Sequence, residues 1–491
     1  MELQFEKKNL SCLRCLADPV LSREETGEIR LPEDLPDAAS VVATWGQVIL
    51  RGKEWRTGGM STSCGVTVWV LYSSEETGEM YCVDTYLPFQ FKTDFPDPGR
   101  DGQICAWGSL DSMDARVVSA RKIMVRANMT LSCRAWVQEK ISCPQAGEVP
   151  DDVQLKENTY PVTLCREAGE QNFALEETLS VPEMEQWIYY TLSPKITEQK
   201  VMGDKLVYRG QCRVHMLGRS GGKLQFWEGE MPFSQFAELE NSYEQEAQGY
   251  LIPMVTAVEL SRTEEGKALM KCALSCQYII LDRQMLTIAE DGYSIYREAK
   301  PVTEEMNLPC VLQMQNREST VTCAVDRDGL QVLDITMQAC PGWLDRGEGV
   351  YKMPLWSQVL YVDPEGKIRG ESCRWEETIA LPAGENVRPG IYGETGDLAV
   401  SSIGGKTQIS GKLYLSEMSD TLWEMPVLFG LSLGEIQAKD PNRPSLILRR
   451  MGEDGLWELA KTCRTTVSAI QSANNLSAEP TVNQMLIIPI N

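Results

Sequence analysis

A period of 144 residues runs through this chain of 491. The segment LYSSEETGEMYCVDTYLPF (71–89) resembles MLGRSGGKLQFWEGEMPF (216–233), and VLYVDPEGKIRGESCRWEE (359–377) is a fainter third version. Gly78, Gly222 and Gly366 mark the same turn in each and keep the period at both steps. Other pairs support it: MTLSCRAW (129–136) matches CALSCQYI (272–279), with SGKLYLSEM (410–418) weaker, and TYPVT (159–163) matches AKPVT (299–303). A unit this long is a domain, not one turn of a helical solenoid. The expected division is three diverged copies at 1–150, 151–291 and 292–435, a linker at 436–445, and a tail at 446–491.

Within a copy the pattern is that of strands. GVTVWVLY (65–72) is rich in β-branched and aromatic residues, which pack well on a pleated surface. KTQISGKLYL (406–415) roughly alternates apolar with polar, as a half-buried strand does. ETGEM and PEGKI read as hairpin turns, where glycine supplies a positive φ. The fold class expected is mainly β: tandem β-sandwich-like repeats, followed by a small βααβ domain of α+β type. The best helix signal in the repeats is FSQFAELENSYEQEAQ (233–248), which reads as a helix or an ordered loop.

The net charge is −23. That argues against nucleic acid or an anionic membrane as partner and is compatible with a basic protein. The opening MELQFEKKNLSCLRCLADP lacks the apolar run of a secretory signal, and no segment is apolar enough to span a bilayer. The expected location is the cytoplasm, where the sixteen cysteines stay reduced and serve as small apolar residues. Cys12 and Cys15 are close, but no second pair stands at zinc-finger spacing.

Signals of chemistry are sparse, and no catalytic residue, metal site or cofactor is expected. There is one histidine, His215, in the strand-like CRVHML, where a packing or surface role is expected. GRSGGKL (218–224) lacks phosphate-loop spacing and occupies the repeat's hairpin turn. Glu75-Glu76 and Glu264-Glu265 lie in expected loops, and a glycosidase pair drawn from distant positions is not visible in spacing. Trp69 and Trp457 read as core; Trp343 and Trp375 are candidates for a surface.

KDPNRPS (439–445) is proline-rich and reads as a linker. Beyond it, LILRR (446–450) reads as a strand. GLWELAK (455–461) places Leu456, Leu459 and Ala460 on one helical face. Thr465 or Thr466 can cap a second helix carrying Val467, Ile470 and Ala473 or Asn474, and MLIIPI (485–490) closes the module as a strand.

This tail resembles a LysM domain. Asp454, Leu456, Trp457, Leu459 and Ala460 match the family's first block, Thr465 and Thr466 its second, Asn474, Asn475 and Leu476 its third, and Gln484, Leu486, Ile488 and Pro489 its last. The resemblance implies a shallow groove for N-acetylglucosamine glycans, in peptidoglycan or a chitin-like polymer, between the first strand–helix loop and the last helix–strand loop. Glu453, Asp454, Gly455, Asn475, Leu476 and Asn483 are the candidate binding residues there. Glu453 and Gly455 stand where the family has Gly and Thr, and Asn483 replaces a Gly. Losing the threonine hydroxyl favours protein docking over sugar binding.

The repeats resemble SPOCS-type domains through DDVQLKENTYPVTLCREAGEQNFALEETLSVP (151–182), GDKLVYRGQCRVHML (203–217) and VVSARKIMVRANMTLSC (117–133). SPOCS copies followed by a LysM domain resemble the SipL-like family of clostridial spore-coat assembly proteins. That implies a non-enzymatic adaptor at the forespore surface in the mother-cell cytoplasm. It would bind the coat-basement ATPase, stage IV sporulation protein A, through its LysM domain and other coat proteins through its repeats.

Overall fold

The computed structural model describes residues 2–95, 101–145, 147–325, 330–384, 386–403, 406–437 and 444–490. The chain is mainly β, built as several antiparallel sheets. The first stretch runs through β1 (Glu2–Gln4), β2 (Glu6–Ala17), β3 (Val20–Arg30), β4 (Ala38–Arg56), β5 (Gly59–Ser74), β6 (Met80–Asp94), β7 (Gly102–Ser119) and β8 (Lys122–Gln145). β2 and β3 follow one another along one edge of β8 and β7 lines the other, while β4, β5 and β6 form a second sheet.

The second stretch holds β9 (Val153–Leu179), β10 (Gln186–Ser220), β11 (Lys223–Tyr243), β12 (Gln248–Arg262) and β13 (Ala268–Ser294). β13 pairs with β9 and β12, and β10 pairs with β11. The third holds β14 (Ala299–Val325), β15 (Gln331–Ala339), β16 (Trp343–Asp345), β17 (Val350–Val362), β18 (Ile368–Ala380), β19 (Arg388–Ile403) and β20 (Lys406–Leu433). β20 pairs with β14 and β19, and β17 with β15, β16 and β18. β1, from the start of the chain, completes the β20 sheet through Glu2↔Ser432 and its neighbours.

Local sequence explains these strands. In β6, Val83, Leu87, Phe89 and Phe91 are buried while the residues between them face out, so one face of the strand meets the core. In β5, central in its sheet, both faces are covered, and the continuous apolar run of GVTVWVLY reflects that. Gly78, Gly222 and Gly366 sit at the hairpin tips with φ of 70°, 75° and 79°, a conformation that a Cβ strains.

One expectation is corrected. Residues 233–243 are not helical: they continue β11, with Phe233 opposite Gly210 and Glu238 opposite Lys205. The apolar residues at 233, 236 and 237 mimic helical spacing, but pairing with β10 decides the conformation. β13 runs to Ser294. The expected linker falls mostly outside the described residues.

The three stretches share their cores. Leu10, Cys12 and Cys143 from β2 and β8 pack with Val162, Leu164, Leu286 and Ile288 from β9 and β13, and with Met306, Leu308, Cys310, Met425 and Val427 from β14 and β20. A second shared cluster joins Trp45, Trp69 and Leu71 to Ile188, Tyr189 and Leu217 and to Leu360. Its Trp45 and Tyr189 rings stack at 4.3 Å. Between lies a cavity of about 130 Å³ lined by β4 and β7, β10 and β12, and β15 and β19, two strands from each stretch.

Buried polar side chains fix these contacts. The Gln277 amide, fully buried, exchanges two 2.7 Å hydrogen bonds with the backbone of Ala106, as a paired strand would. Gln47 accepts from the Leu192 amide at 2.6 Å, and Ser109 donates to Gln338 at 3.1 Å. Arg134 on β8 pairs with Asp420 on β20 while its guanidinium lies 4.7 Å over the Trp136 ring. Breaking a buried pair of this kind costs far more than the pair adds over an apolar replacement, so it specifies which strands meet.

Leu164 has no exposed surface and contributes to the core shared by all three stretches. Leu164→Ala should destabilise the fold by roughly 2–5 kcal/mol. Urea unfolding followed by tryptophan fluorescence should show one cooperative transition moved to lower denaturant. A separate early transition for the second stretch would show that the shared core does not couple them.

Candidate functional site

The tail is a strand–helix–helix–strand module: β21 (Leu446–Arg450), α1 (Gly455–Cys463), α2 (Val467–Asn474) and β22 (Met485–Pro489), with β21 antiparallel to β22. Leu456, Ala460 and Cys463 of α1, Ile470 of α2, and Leu486 and Ile488 of β22 are buried together. Thr466, not Thr465, caps α2, its hydroxyl accepting from the Ala469 amide at 3.0 Å. Asn474 pins α2 to β22. Its side chain donates to the Ile487 carbonyl at 2.7 Å and accepts from the Ile487 amide at 2.8 Å, acting as a short piece of strand.

The six candidate binding residues lie in the two loops at one end of this module. Glu453 and Asp454 are exposed, and Asp454 sits at the N-cap of α1 without a side-chain capping bond. Gly455 has φ +85°, so the Gly where the LysM pattern has Thr meets a backbone demand. Asn475 ends α2 in the left-handed region, and Asn483 adopts φ 71° while donating to the Met451 carbonyl at 2.9 Å. Leu476 turns inward and packs against the module core, which removes most of it from any ligand. The two loops are tied by Glu479, whose carboxylate accepts from the Leu456 amide at 2.8 Å and so caps α1 from the opposite loop.

Sequence reasoning missed where this module sits. Asp291 and Tyr293, at the end of β13, receive α1. The Trp457 indole donates to Asp291 at 2.7 Å, and Lys461 reaches the same carboxylate oxygen at 2.6 Å. The Tyr293 hydroxyl donates to the Thr465 carbonyl at 2.7 Å, and its ring meets Trp457 edge-on at 4.9 Å. Burial pushes the Asp291 carboxyl up, but hydrogen bonds from Lys461, Trp457 and the Gly292 amide outweigh it and hold the group below the usual carboxylate range. Helical spacing marks Trp457 as a core residue. It also presents a polar edge, and that edge faces the body of the protein.

Opposite this seat the module shows an apolar face. Leu446 and Leu448 of β21 and Met485 and Ile487 of β22 point away from the module core and are between 40% and 66% exposed. Arg450 lies beside them.

Elsewhere the chemistry-bearing groups are spent on structure. His215, directly opposite Glu228 on β11, bonds it through Nδ1 at 2.8 Å and Asp334 of β15 through Nε2 at 2.8 Å. Tyr189 donates to the other oxygen of Asp334. Both imidazole nitrogens are thus occupied, and the ring clamps β10 to β15. Glu394 lines the 130 Å³ cavity as its one carboxylate, and burial pushes it up to about 8 against Arg213 and Lys195. A cleft of about 1400 Å³ opens between the second and third stretches, with Lys200, Arg283, Leu312, Trp423 and the exposed Glu246 and Glu424 in its walls. Glu75, Glu76, Glu264 and Glu265 are exposed turn residues, and residues 218–224 form a hairpin with Gly221 and Gly222 at its tip. Cys12 and Cys15 are buried, Trp343 is exposed, and Trp375 packs against the largest core. Among the described residues, no helix is long and apolar enough to cross a membrane.

Comparison with protein-family models, curated proteins and solved structures gives no match to this chain.

Two measurements probe these contacts. Burial depresses the His215 imidazolium, but Asp334 and Glu228 outweigh it and raise the group to about 9 from an ordinary 6.5. Its contribution, roughly 3 kcal/mol, is therefore complete below the unfolded value of about 6.5 and is lost as pH rises through about 9. Denaturation curves of the wild type and His215→Gln should be well separated near pH 6 and converge near pH 10. For the seat of the tail, Asp291→Ala should cost roughly 1–2 kcal/mol of docking. Hydrogen exchange of residues 455–463 should speed up while that of β14 and β20 stays unchanged.

Proposed function

We propose that this chain is a non-enzymatic adaptor of the spore coat, made of three SPOCS-type β units and a terminal LysM domain. The observation that carries the reading is the terminal module. It has the strand, two helices and strand of a LysM domain in that order, and it is seated on the body through Asp291 and Tyr293 with its apolar sheet face left outward.

The pairing pattern supports the threefold unit. In each stretch early strands pair with the closing one: β2 and β3 with β8, β9 with β13, and β14 with β20. Residues of the shared core also face one another across two of these pairs, Tyr160 opposite Leu286 and Met306 opposite Met425.

In this reading the LysM domain docks on the coat-basement ATPase. Leu446, Leu448, Met485 and Ile487 form the buried centre of the contact, and Arg450 with the loop residues Glu453, Asp454 and Asn475 forms its polar rim. The cleft between the second and third units recruits other coat proteins. Glu479 favours protein over glycan, because it fills the end of α1 that a groove-bound sugar would approach. The protein acts in the mother-cell cytoplasm, on the forespore surface.

The test is a co-purification of the full chain with the purified ATPase, run beside sedimentation with insoluble peptidoglycan. The ATPase should retain it and peptidoglycan should not. Leu448→Lys combined with Ile487→Lys should weaken retention at least about tenfold without lowering the thermal midpoint, since both residues are exposed. Retention by peptidoglycan alone would recast the protein as a cell-wall or cortex binder. Diffuse fluorescence of a tagged chain throughout the mother cell would count against the adaptor.

A further inference from the structure

The cleft of about 1400 Å³ between the second and third stretches differs in charge from the rest of the chain. Aspartate and glutamate outnumber lysine and arginine 70 to 47 over the sequence, yet the walls hold two of each sign, Lys200 and Arg283 against Glu246 and Glu424. Buried Val162, Leu281 and Val311 give the cleft apolar surface. Its polar lining is rich in carboxamides: Gln199, Gln245, Gln248, Gln313, Gln315 and Asn316. Gln199 accepts from the Gly249 amide at 2.9 Å, and Gln315 donates to Glu417 at 2.8 Å. Among the described residues, the side chains of Gln245, Gln248, Gln313 and Asn316 have no such partner, and all four reach solvent.

A carboxamide donates and accepts at one planar group, as a peptide bond does. This chain uses that likeness to hold extended backbone. Gln277 exchanges two 2.7 Å bonds with Ala106, and Asn474 exchanges bonds of 2.7 and 2.8 Å with Ile487. The cleft offers the same groups beside a strand. Seven consecutive residues of β14, Cys310 to Asn316, line it. At the rise of a strand they span roughly 20 Å. β14 pairs with β20 along one edge and with no other strand among the described residues. Its register shifts between Val311 and Gln313, and Leu312 between them is 43% exposed. A second hollow, of about 680 Å³, shares Gln199, Lys200, Met314 and Asn316 with the cleft and so lengthens it. A long, neutral, amide-lined cleft suits an extended chain better than a compact or charged ligand. Trp423 is the single aromatic among the described lining residues, and Tyr160 meets it edge-on at 5.1 Å. It is part of the packing, not a platform for a sugar ring.

We propose that this cleft takes an extended, uncharged polypeptide segment of a partner protein, roughly six to eight residues long, held by hydrogen bonds between the wall carboxamides and its backbone. The inference rests on the adaptor reading in taking the cleft as a recruiting site, and it adds the chemistry of what is recruited. Alternate apolar side chains of the segment meet Val162, Leu281 and Val311, since successive side chains of a strand point to opposite faces. The balance of charge in the walls sets the selectivity. A basic segment gains nothing there beyond the diffuse pull of the acidic body.

The experiment pans phage-displayed random peptides, about twice the length of the segment, on the full chain. Enriched sequences are synthesised with a fluorophore and titrated by anisotropy against the wild type and the double variant Gln245→Ala with Gln313→Ala. They should be uncharged and should bind as well at high salt as at low. Their affinity for the variant should fall about tenfold. The variant's thermal midpoint should not move, because both side chains lie outside the core. Methylating alternate backbone nitrogens of the peptide should abolish binding to the wild type, which tests the proposal even if the variant does not fold. Equal affinity for wild type and variant, tolerance of backbone methylation, or failure to enrich any peptide would overturn the proposal. Basic peptides that leave at high salt would overturn it too, since they mark the acidic surface and not the cleft. Chito-oligosaccharides bound by the wild type and not by the variant would make the cleft a sugar site instead. The adaptor reading fails separately, by loss of ATPase retention. The double variant should keep that retention, because neither residue lies in the tail.

Discussion

Everything in this structure depends on apolar surface that no stretch of the chain can cover alone. Leu10, Leu164 and Leu308 lie on the opening strands of three different stretches, and each is buried in the same cluster. Remove one stretch and the other two expose that core to water, at about 25 cal/mol for each Å² uncovered. β1 adds to the same closure by strand pairing, because the first strand of the chain completes the last large sheet. Buried glutamines and the Arg134–Asp420 pair add no great stability over apolar replacements, but they reject other arrangements, since a misplaced unit would leave them unpaired.

Much of the local structure was legible in the sequence, and the reasons are local. The 144-residue period falls on hairpin tips where positive φ forces glycine, so the signal is backbone chemistry. The run at 65–72 reads as a strand because its β-branched and aromatic residues suit a pleated surface; that both faces are covered comes from the structure. Residues 233–243 misled because Phe233, Phe236 and Ala237 satisfy helical and strand spacing alike, and only the partner strand breaks the tie. His215 was legible as a structural residue but not as a charged one. Its partners lie 13 and 119 residues away, on strands whose meeting depends on the whole packing.

In the candidate site, the helices, the loops around Glu453 and Asn483, and a threonine cap at 465 or 466 followed from residue type and spacing, and the structure places the cap at Thr466. Glu479 did not, because a helix capped from a distant loop leaves no spacing to read. Leu476 turned inward for an equally local reason: it follows the left-handed Asn475 and so folds back onto the end of α2. The outward face of β21 and β22 carries a weaker signal. LILRR and MLIIPI are apolar at successive positions, and a two-stranded sheet with helices on one side cannot bury both faces.

Trp457 joins the two halves of the argument. Its ring belongs to the core of the terminal module, where helical spacing places it, and its indole N–H belongs to Asp291 on the body. A tryptophan used in both ways fixes the orientation of the module as well as its fold, with Lys461 and Tyr293 completing three contacts that cannot be met together in another pose. The seat on Asp291 and Tyr293 takes up α1 and Thr465, which leaves the apolar face of β21 and β22 exposed.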